Sequence, residues 1–167
     1  MDKFTKKPSF DLETITENNL AILQNLFRYY VYEFSHITLA GPNQTGNYDY
    51  RPGLIEGLGT TEDRFGFLIQ SDHQLAGFAL IRRLAPGQYD VDQFFITRNH
   101  TRKGLGAAVF SDIVGRYPGG WQVRVLLENH TAKLFWQNAI LQITQGRFSV
   151  EQATEDGDTM DVYRFTR

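Results

Sequence analysis

The residue types best suited to chemistry fall between positions 90 and 106. Asp90 and Asp92 stand two apart in the strand-like run Tyr89-Asp-Val-Asp-Gln-Phe-Phe-Ile96. Strict alternation puts them on one face with Phe94 and Ile96, and puts Val91, Gln93 and Phe95 on the other. Two acids beside apolar residues are not what core packing alone selects. Partly buried together, they would repel one another, and one pKa would rise into the range of a general base. At a solvated sheet margin they would do no chemistry. A few residues on, Arg98-Asn-His-Thr-Arg-Lys-Gly-Leu-Gly-Ala-Ala-Val-Phe110 runs from a short basic loop through two glycines into a helical pattern. Gly104 and Gly106 let the backbone come close to a ligand, and a helix starting there offers the unpaired N–H groups of its first turn. Arg102 and Lys103 add positive charge where the helix dipole already favours an anion. The combination is a cradle for a pyrophosphate, and its plain competitor is a turn before an amphipathic helix.

A second segment, Leu127-Glu-Asn129-His-Thr-Ala132-Lys-Leu-Phe135-Trp136-Gln-Asn-Ala-Ile140, follows the next strand-like run. Taken singly, Asn129 reads as an N-cap and Phe135 as core packing. Taken together, the two segments resemble the acyl-CoA-binding region of the GNAT superfamily, the acyl-CoA-dependent N-acyltransferases. That family's usual pattern is Arg/Gln-x-x-Gly-x-Gly/Ala. Here Thr101 stands where Arg or Gln is usual, with Arg102 directly after it. The resemblance implies acetyl-CoA as co-substrate. Arg102, Lys103, Gly104, Leu105, Gly106 and Ala107 would hold its pyrophosphate, and backbone groups of Phe94, Phe95 and Ile96 its acyl-pantetheine arm. Asn129 would contact pantetheine, with Phe135 and Trp136 at the thiol end. The resemblance further implies direct attack of an amine on the thioester, a strand N–H at the oxyanion, and Asp92, then Asp90, as base. Trp136 occupies a position where many relatives carry a tyrosine that protonates the departing thiolate. An indole N–H donates a hydrogen bond but is no useful acid. A thiol with a pKa of about 8.5 can leave as thiolate without obligatory protonation, so no general acid is assigned.

An acceptor pocket would come from the first helix and the loop after it, through Tyr29, Tyr30, Glu33, Tyr48, Asp49 and Tyr50, with Gln93 orienting the substrate. Tyr30, Glu33, Tyr50 and Gln93 are the leading candidates. Aromatics with carboxylates suit an amine-bearing acceptor, a small molecule or a peptide. The four histidines, His36, His73, His100 and His130, lack ligand spacing, and no metal site is expected.

The elements that must position these groups follow from periodicity. Apolar residues at helical spacing mark a helix over 18–35 with Thr16 as cap, after a short strand over 10–15. Residues 36–63 lose periodicity and gain Gly, Asn, Thr and Pro, which reads as a binding loop or as a mobile insertion, with a short helix near Leu54. A hairpin over 64–70 and 75–82 leads to the strand at 89–97, and a helix over 105–117 to a strand over 121–127. A helix over 131–140 precedes two final strands, 148–152 and 160–165. This order predicts a single α/β (α+β) domain spanning 1–167, with a mixed, largely antiparallel sheet flanked by helices. It is also the order expected of the GNAT fold.

A net charge of -2 gives no general attraction to nucleic acid or anionic membrane. The absence of cysteine excludes disulfides and an acyl-cysteine intermediate. Residues 1–8 lack the apolar core of a signal peptide, so a soluble cytoplasmic protein is expected. A homodimer is implied by analogy with relatives. Two other readings compete. In a dinucleotide enzyme Glu128 would bind ribose, but Val109 replaces the third glycine and no βαβ unit precedes the motif. A non-catalytic acyl-CoA-binding or sensor domain on the same fold is the second.

Overall fold

A short strand, β1 (Asp11–Thr14), leads into the helix α1 (Leu20–Thr38), which buries Leu23, Leu26 and Phe27. This is the face marked by the apolar spacing. The helix begins later than expected, and the residue at its N-cap position is Asn19 rather than Thr16. Asn19 Oδ1 accepts from the Thr16 N–H at 2.8 Å, while its amide donates to Glu13 and to the Thr14 carbonyl. The side chain thus ties the helix back to β1 instead of capping it. The strands β2 (Arg64–Ser71), β3 (Gln74–Ala85) and β4 (Gln88–Ile96) form an antiparallel meander. Asp72 and His73 join the first two, with φ of 50° and 61°, the twist that a two-residue hairpin demands. Then come α2 (Leu105–Arg116), β5 (Gly120–Leu126), α3 (His130–Thr144), β6 (Phe148–Glu155) and β7 (Asp158–Thr166).

The computed structural model describes residues 8–167, so most of the N-terminal stretch read for a signal peptide lies outside the described residues. The seven strands make one sheet in the order β1-β2-β3-β4-β5-β7-β6. Only β4 and β5 pair in parallel, joined by α2. This is the mixed, largely antiparallel arrangement expected. β4, α2 and β5 make one βαβ unit with the paired glycines in its first turn. β4 lies antiparallel to β3 on its other side, so the doubly wound parallel sheet that the dinucleotide reading needs is absent. No helix among the described residues is long and apolar enough to cross a membrane.

The core has two halves, one on each face of the sheet. α2 and α3 cover Phe67, Ile81, Val91, Val123 and Val125, while α1 covers Leu68, Phe78, Leu80 and Phe95. Ile55 and Leu58 join the α1 half, so the segment after α1, irregular in sequence, is packed against the sheet around a 3-10 turn at Pro52–Leu54.

Two irregularities of β4 position everything that follows. Leu80 pairs with Gln93 but Ile81 pairs with Val91, so Asp92 is an extra residue in a β-bulge. The phase flips across it. Tyr89 and Val91 face α2 and α3, and so do Phe94 and Ile96, whereas Phe95 faces α1. The expectation that Asp90 and Asp92 share a face with Phe94 and Ile96 fails at this bulge. The second irregularity is a separation of strands. The β4–β5 ladder runs only from Gln88↔Gly120 to Val91↔Val123, after which β5 continues alone with β7 as far as Leu126↔Met160.

Candidate active site

Where β4 and β5 part, a cavity of about 230 Å³ opens through the sheet. β4 contributes Asp92, Gln93 and Phe94, β5 contributes Arg124 and Val125, and α1 brings Tyr30 and Phe34. α3 adds Asn129 and Trp136. The backbone of β4 is free on this side. The Thr97 N–H donates to the Ala76 carbonyl at 2.9 Å, and alternation then turns Phe95 and Gln93 toward β3 as well. Phe94 and Ile96 are left with their N–H and C=O groups facing the gap vacated by β5. Of the three strand residues expected to offer backbone groups, Phe94 and Ile96 therefore can. Phe95 instead spends its backbone on β3, and its side chain is buried beside Phe78 and Tyr30.

The two acids sit in an ion-pair network. Asp90 is fully buried. Its Oδ1 accepts from Gln122 at 3.1 Å and from Arg124 Nε at 3.2 Å, and its Oδ2 from Arg124 at 2.7 Å and Arg82 at 3.1 Å. All four acceptor directions are used, and Asp90 does not line the cavity. Asp92, carried outward by the bulge, does line it. Its Oδ2 accepts from Arg64 at 3.0 Å and its Oδ1 lies 3.5 Å from Arg124, which leaves lone pairs unclaimed. The mutual crowding of two acids expected from the sequence is thus answered by three guanidiniums. Arg64 also donates to the carbonyls of Gly53, Leu54 and Glu56, at 2.5–2.8 Å, which pins the segment after α1 to the cavity carboxylate.

The glycine loop leaves the end of β4 and enters α2. Gly104, at φ +77°, is the residue before the helix and has no side chain to cap it. The first-turn N–H groups of Leu105, Gly106 and Ala107 have no intrahelical carbonyl to meet. Arg102 and Lys103 beside them are exposed, and Arg102 itself adopts φ +61°. Space around Gly104 is open, whereas a Cβ at Gly106 would come within 3.1 Å of the Phe135 ring. The first glycine therefore serves the backbone turn, and the second lets α2 and α3 pack. From Gly104 and Ala107 a groove of about 870 Å³ continues between these helices toward Arg116 and Arg167. α3 is capped differently. Asn129 Oδ1 accepts from the Ala132 N–H at 3.1 Å, so the expected cap exists and the amide NH₂ stays available at the cavity. Phe94 stacks on Phe135 and meets Trp136 edge to face, with ring centroids 6.1 and 5.2 Å apart.

The acceptor candidates divide. Tyr30 lines the cavity and donates to Gln93 Oε1 at 2.6 Å. Burial, and secondarily the Asp92 charge, push its phenol above the usual tyrosine range. Glu33 lies off the cavity with both oxygens taken by Arg98, at 2.7 and 2.8 Å. Tyr50 packs on Phe27 under the Arg28 guanidinium, away from the cavity. Sequence reasoning passed over Phe34, Met160 and the arginines 64, 82 and 124. Arginines inside strands that are otherwise apolar were the available signal.

The fold as a whole has counterparts among solved structures. Spermidine N-acetyltransferase from Vibrio cholerae, in complex with CoA and spermine, superposes with a TM-score of 0.67 over 94% of this chain and 95% of its own, at 13% identity. An aminoglycoside acetyltransferase in complex with coenzyme A gives 0.66 over 95% of each chain, at 18% identity. The ribosomal-protein-S18-alanine N-acetyltransferase from Escherichia coli gives 0.62 at 12% identity, over 95% of this chain and 94% of its own. This is the GNAT fold. No protein-family model matches the chain, and no curated protein matches it in sequence. Likeness at this level of identity establishes the GNAT architecture, and the chemistry rests on the site itself.

Proposed function

We propose that this protein transfers an acetyl group from acetyl-CoA to the amine of a small acceptor. The observation that carries the reading is the pairing of the split between β4 and β5 with the open N-terminus of α2 at its edge, in a fold whose solved representatives include CoA complexes. In this reading the first-turn N–H groups of α2 hold the pyrophosphate, helped by the charges of Arg102 and Lys103. The rest of the nucleotide follows the groove between α2 and α3. The pantetheine arm runs along the free edge of β4, hydrogen-bonding Phe94 and Ile96 as a strand would, with the Asn129 amide on its other side.

The acceptor enters from the α1 side. Only its neutral amine attacks, so its ammonium must first lose a proton, and Asp92 takes it directly or through water. Asp90 serves as a positioning residue that holds Arg124. The nitrogen lone pair then forms the C–N bond, the carbonyl oxygen gathers charge against a β4 N–H, and the C–S bond breaks to release thiolate. The proton that the acylated nitrogen sheds to become an amide passes to water. Trp136 shapes the thiol end without supplying a proton. Tyr30 holds its proton too firmly to be an effective acid, consistent with a thiolate that leaves unprotonated.

The direct test is calorimetric titration with acetyl-CoA, with NAD as control, followed by amine-dependent release of free CoA thiol. Binding of acetyl-CoA and not NAD, with turnover on an amine, is the expected result. Binding without turnover on any amine would favour the acyl-CoA sensor, and no binding would sink both.

A further inference from the structure

The charge arrangement of the cavity specifies its acceptor more narrowly. Among the residues that line it, Asp92 is the one carboxylate and Arg124 the one guanidinium. The other acids nearby are already spoken for. Asp90 is held by Arg82 and Arg124, Glu155 by Arg124 at 2.7 Å, and Glu33 by Arg98. The three arginines around the cavity, 64, 82 and 124, balance the three carboxylates 90, 92 and 155. Asp92 is paired as well, but it faces the cavity with one hydrogen-bond contact on each oxygen, so a first ammonium can settle on its unclaimed lone pairs. A second would be stripped of water with no free carboxylate to meet it and guanidiniums for neighbours.

An anionic substituent fares no better. Arg124 donates through Nε, Nη1 and Nη2 to acids of the protein itself. Apart from the amides of Gln93, which accepts from Tyr30, and Asn129, assigned above to the pantetheine arm, the remaining walls are apolar or aromatic, including Tyr30, Phe34, Phe94, Val125 and Met160. Such walls accept a hydrocarbon body and can face an ammonium with a ring. At about 230 Å³, the space lies below the roughly 300–1,000 Å³ of pockets for drug-sized ligands, and the acetyl end must share it.

We propose that the acceptor is a small primary monoamine with an apolar, aryl-sized body, in contrast to a polyamine, an aminoglycoside or an amino acid. This rests on the acetyltransferase reading above. The solved spermidine enzyme shares the fold, and the proposal separates this chain from it in the acceptor it takes.

The test compares kcat/KM, at fixed acetyl-CoA, for 2-phenylethylamine, cyclohexylmethylamine, L-phenylalanine and spermidine. Phenylalanine keeps the aryl body and adds a carboxylate, and spermidine keeps the amine and multiplies it. The two monoamines should exceed both others at least tenfold. Equal or better turnover of spermidine or phenylalanine would overturn the proposal. So would the absence of turnover on both monoamines in protein that binds acetyl-CoA. Failure to bind acetyl-CoA at all would overturn the transferase reading and this inference together, so the two failures are told apart by calorimetry. A constructive variant supports the same logic. Phe34→Glu adds a second carboxylate at the cavity and should raise the spermidine-to-phenylethylamine ratio at least tenfold, while acetyl-CoA affinity stays within twofold. An unchanged ratio in a folded variant would count against it.

Discussion

At the residue scale, two glycines that look alike in sequence do different work. Gly104 needs its positive φ and has open space, so Gly104→Val strains the loop by on the order of 1 kcal/mol and otherwise leaves packing intact. It should abolish measurable acetyl-CoA binding while lowering the urea midpoint less than Gly106→Val does. Gly106→Val pushes on Phe135 and should cost about 1–3 kcal/mol of stability as well. Equal denaturation midpoints for the two variants would contradict that division. Asp92→Asn should lower kcat at least tenfold and leave acetyl-CoA affinity nearly unchanged, because Asp92 faces the acceptor side rather than the α2 cradle. An unaltered pH–rate profile in that variant would remove Asp92 from the proton transfer. Tyr30 makes a separate prediction about stability. Its folded-state pKa is raised, mainly by burial, so its contribution is whole below the ordinary tyrosine value of about 10 and declines as pH climbs above it. Tyr30→Phe should therefore lose less stability than the parent between about pH 10 and 12, other tyrosines cancelling in the comparison. Parallel declines would mean that Tyr30 ionises as readily folded as unfolded.

At the element scale, β4 is the part of the molecule that does most to make the site. Its bulge sends Asp92 into the cavity, and its early parting from β5 exposes the backbone of Phe94 and Ile96. Neither was legible. A period-2 reading has no way to register an inserted residue unless Gly or Pro marks it, and Val91-Asp92-Gln93 carries no such mark. The glycine loop and the Asn129 cap could be read because their signals are contiguous in the chain. The arginine network could not, since residues 64, 82 and 124 meet only through sheet register. Arg64 shows what such a non-local contact does. Its four hydrogen bonds join Asp92 to three carbonyls of the segment that packs Ile55 and Leu58 under α1. Arg64→Ala leaves those carbonyls and a part-buried carboxylate short of partners, at a cost of about 2–4 kcal/mol. Amide exchange over residues 52–58 should accelerate in this variant well before exchange in β3 does. Uniform acceleration would instead show that the segment unfolds only with the whole sheet.

At the scale of the whole molecule, the sheet is one body that the proposed ligand would touch at three separate places. The glycine loop ties the free edge of β4 to the α2 N-terminus, and the start of α3 is held to them by packing, with the rings of Phe94, Phe135 and Trp136 in mutual contact. A ligand spanning all three should stabilise the folded state as a unit. By mass action, acetyl-CoA at a hundred times its dissociation constant adds about 2.7 kcal/mol. For a chain of this length each kcal/mol moves Tm by roughly 2–4 °C, so a shift of roughly 5–11 °C is expected. Coenzyme A alone should give most of it, since the cradle and the pantetheine edge do not require the acetyl group. NAD should give none, because it brings a pyrophosphate without the arm that fills the gap between β4 and β5. The control that makes the shift interpretable is Asn129→Ala. It removes both the α3 cap, worth about 1 kcal/mol, and the amide at the gap. Its Tm should fall without ligand, and its shift with acetyl-CoA should shrink while remaining larger than that of Gly104→Val. A full shift in Asn129→Ala would place the pantetheine arm elsewhere, and a full shift in Gly104→Val would remove the α2 terminus from the binding site altogether.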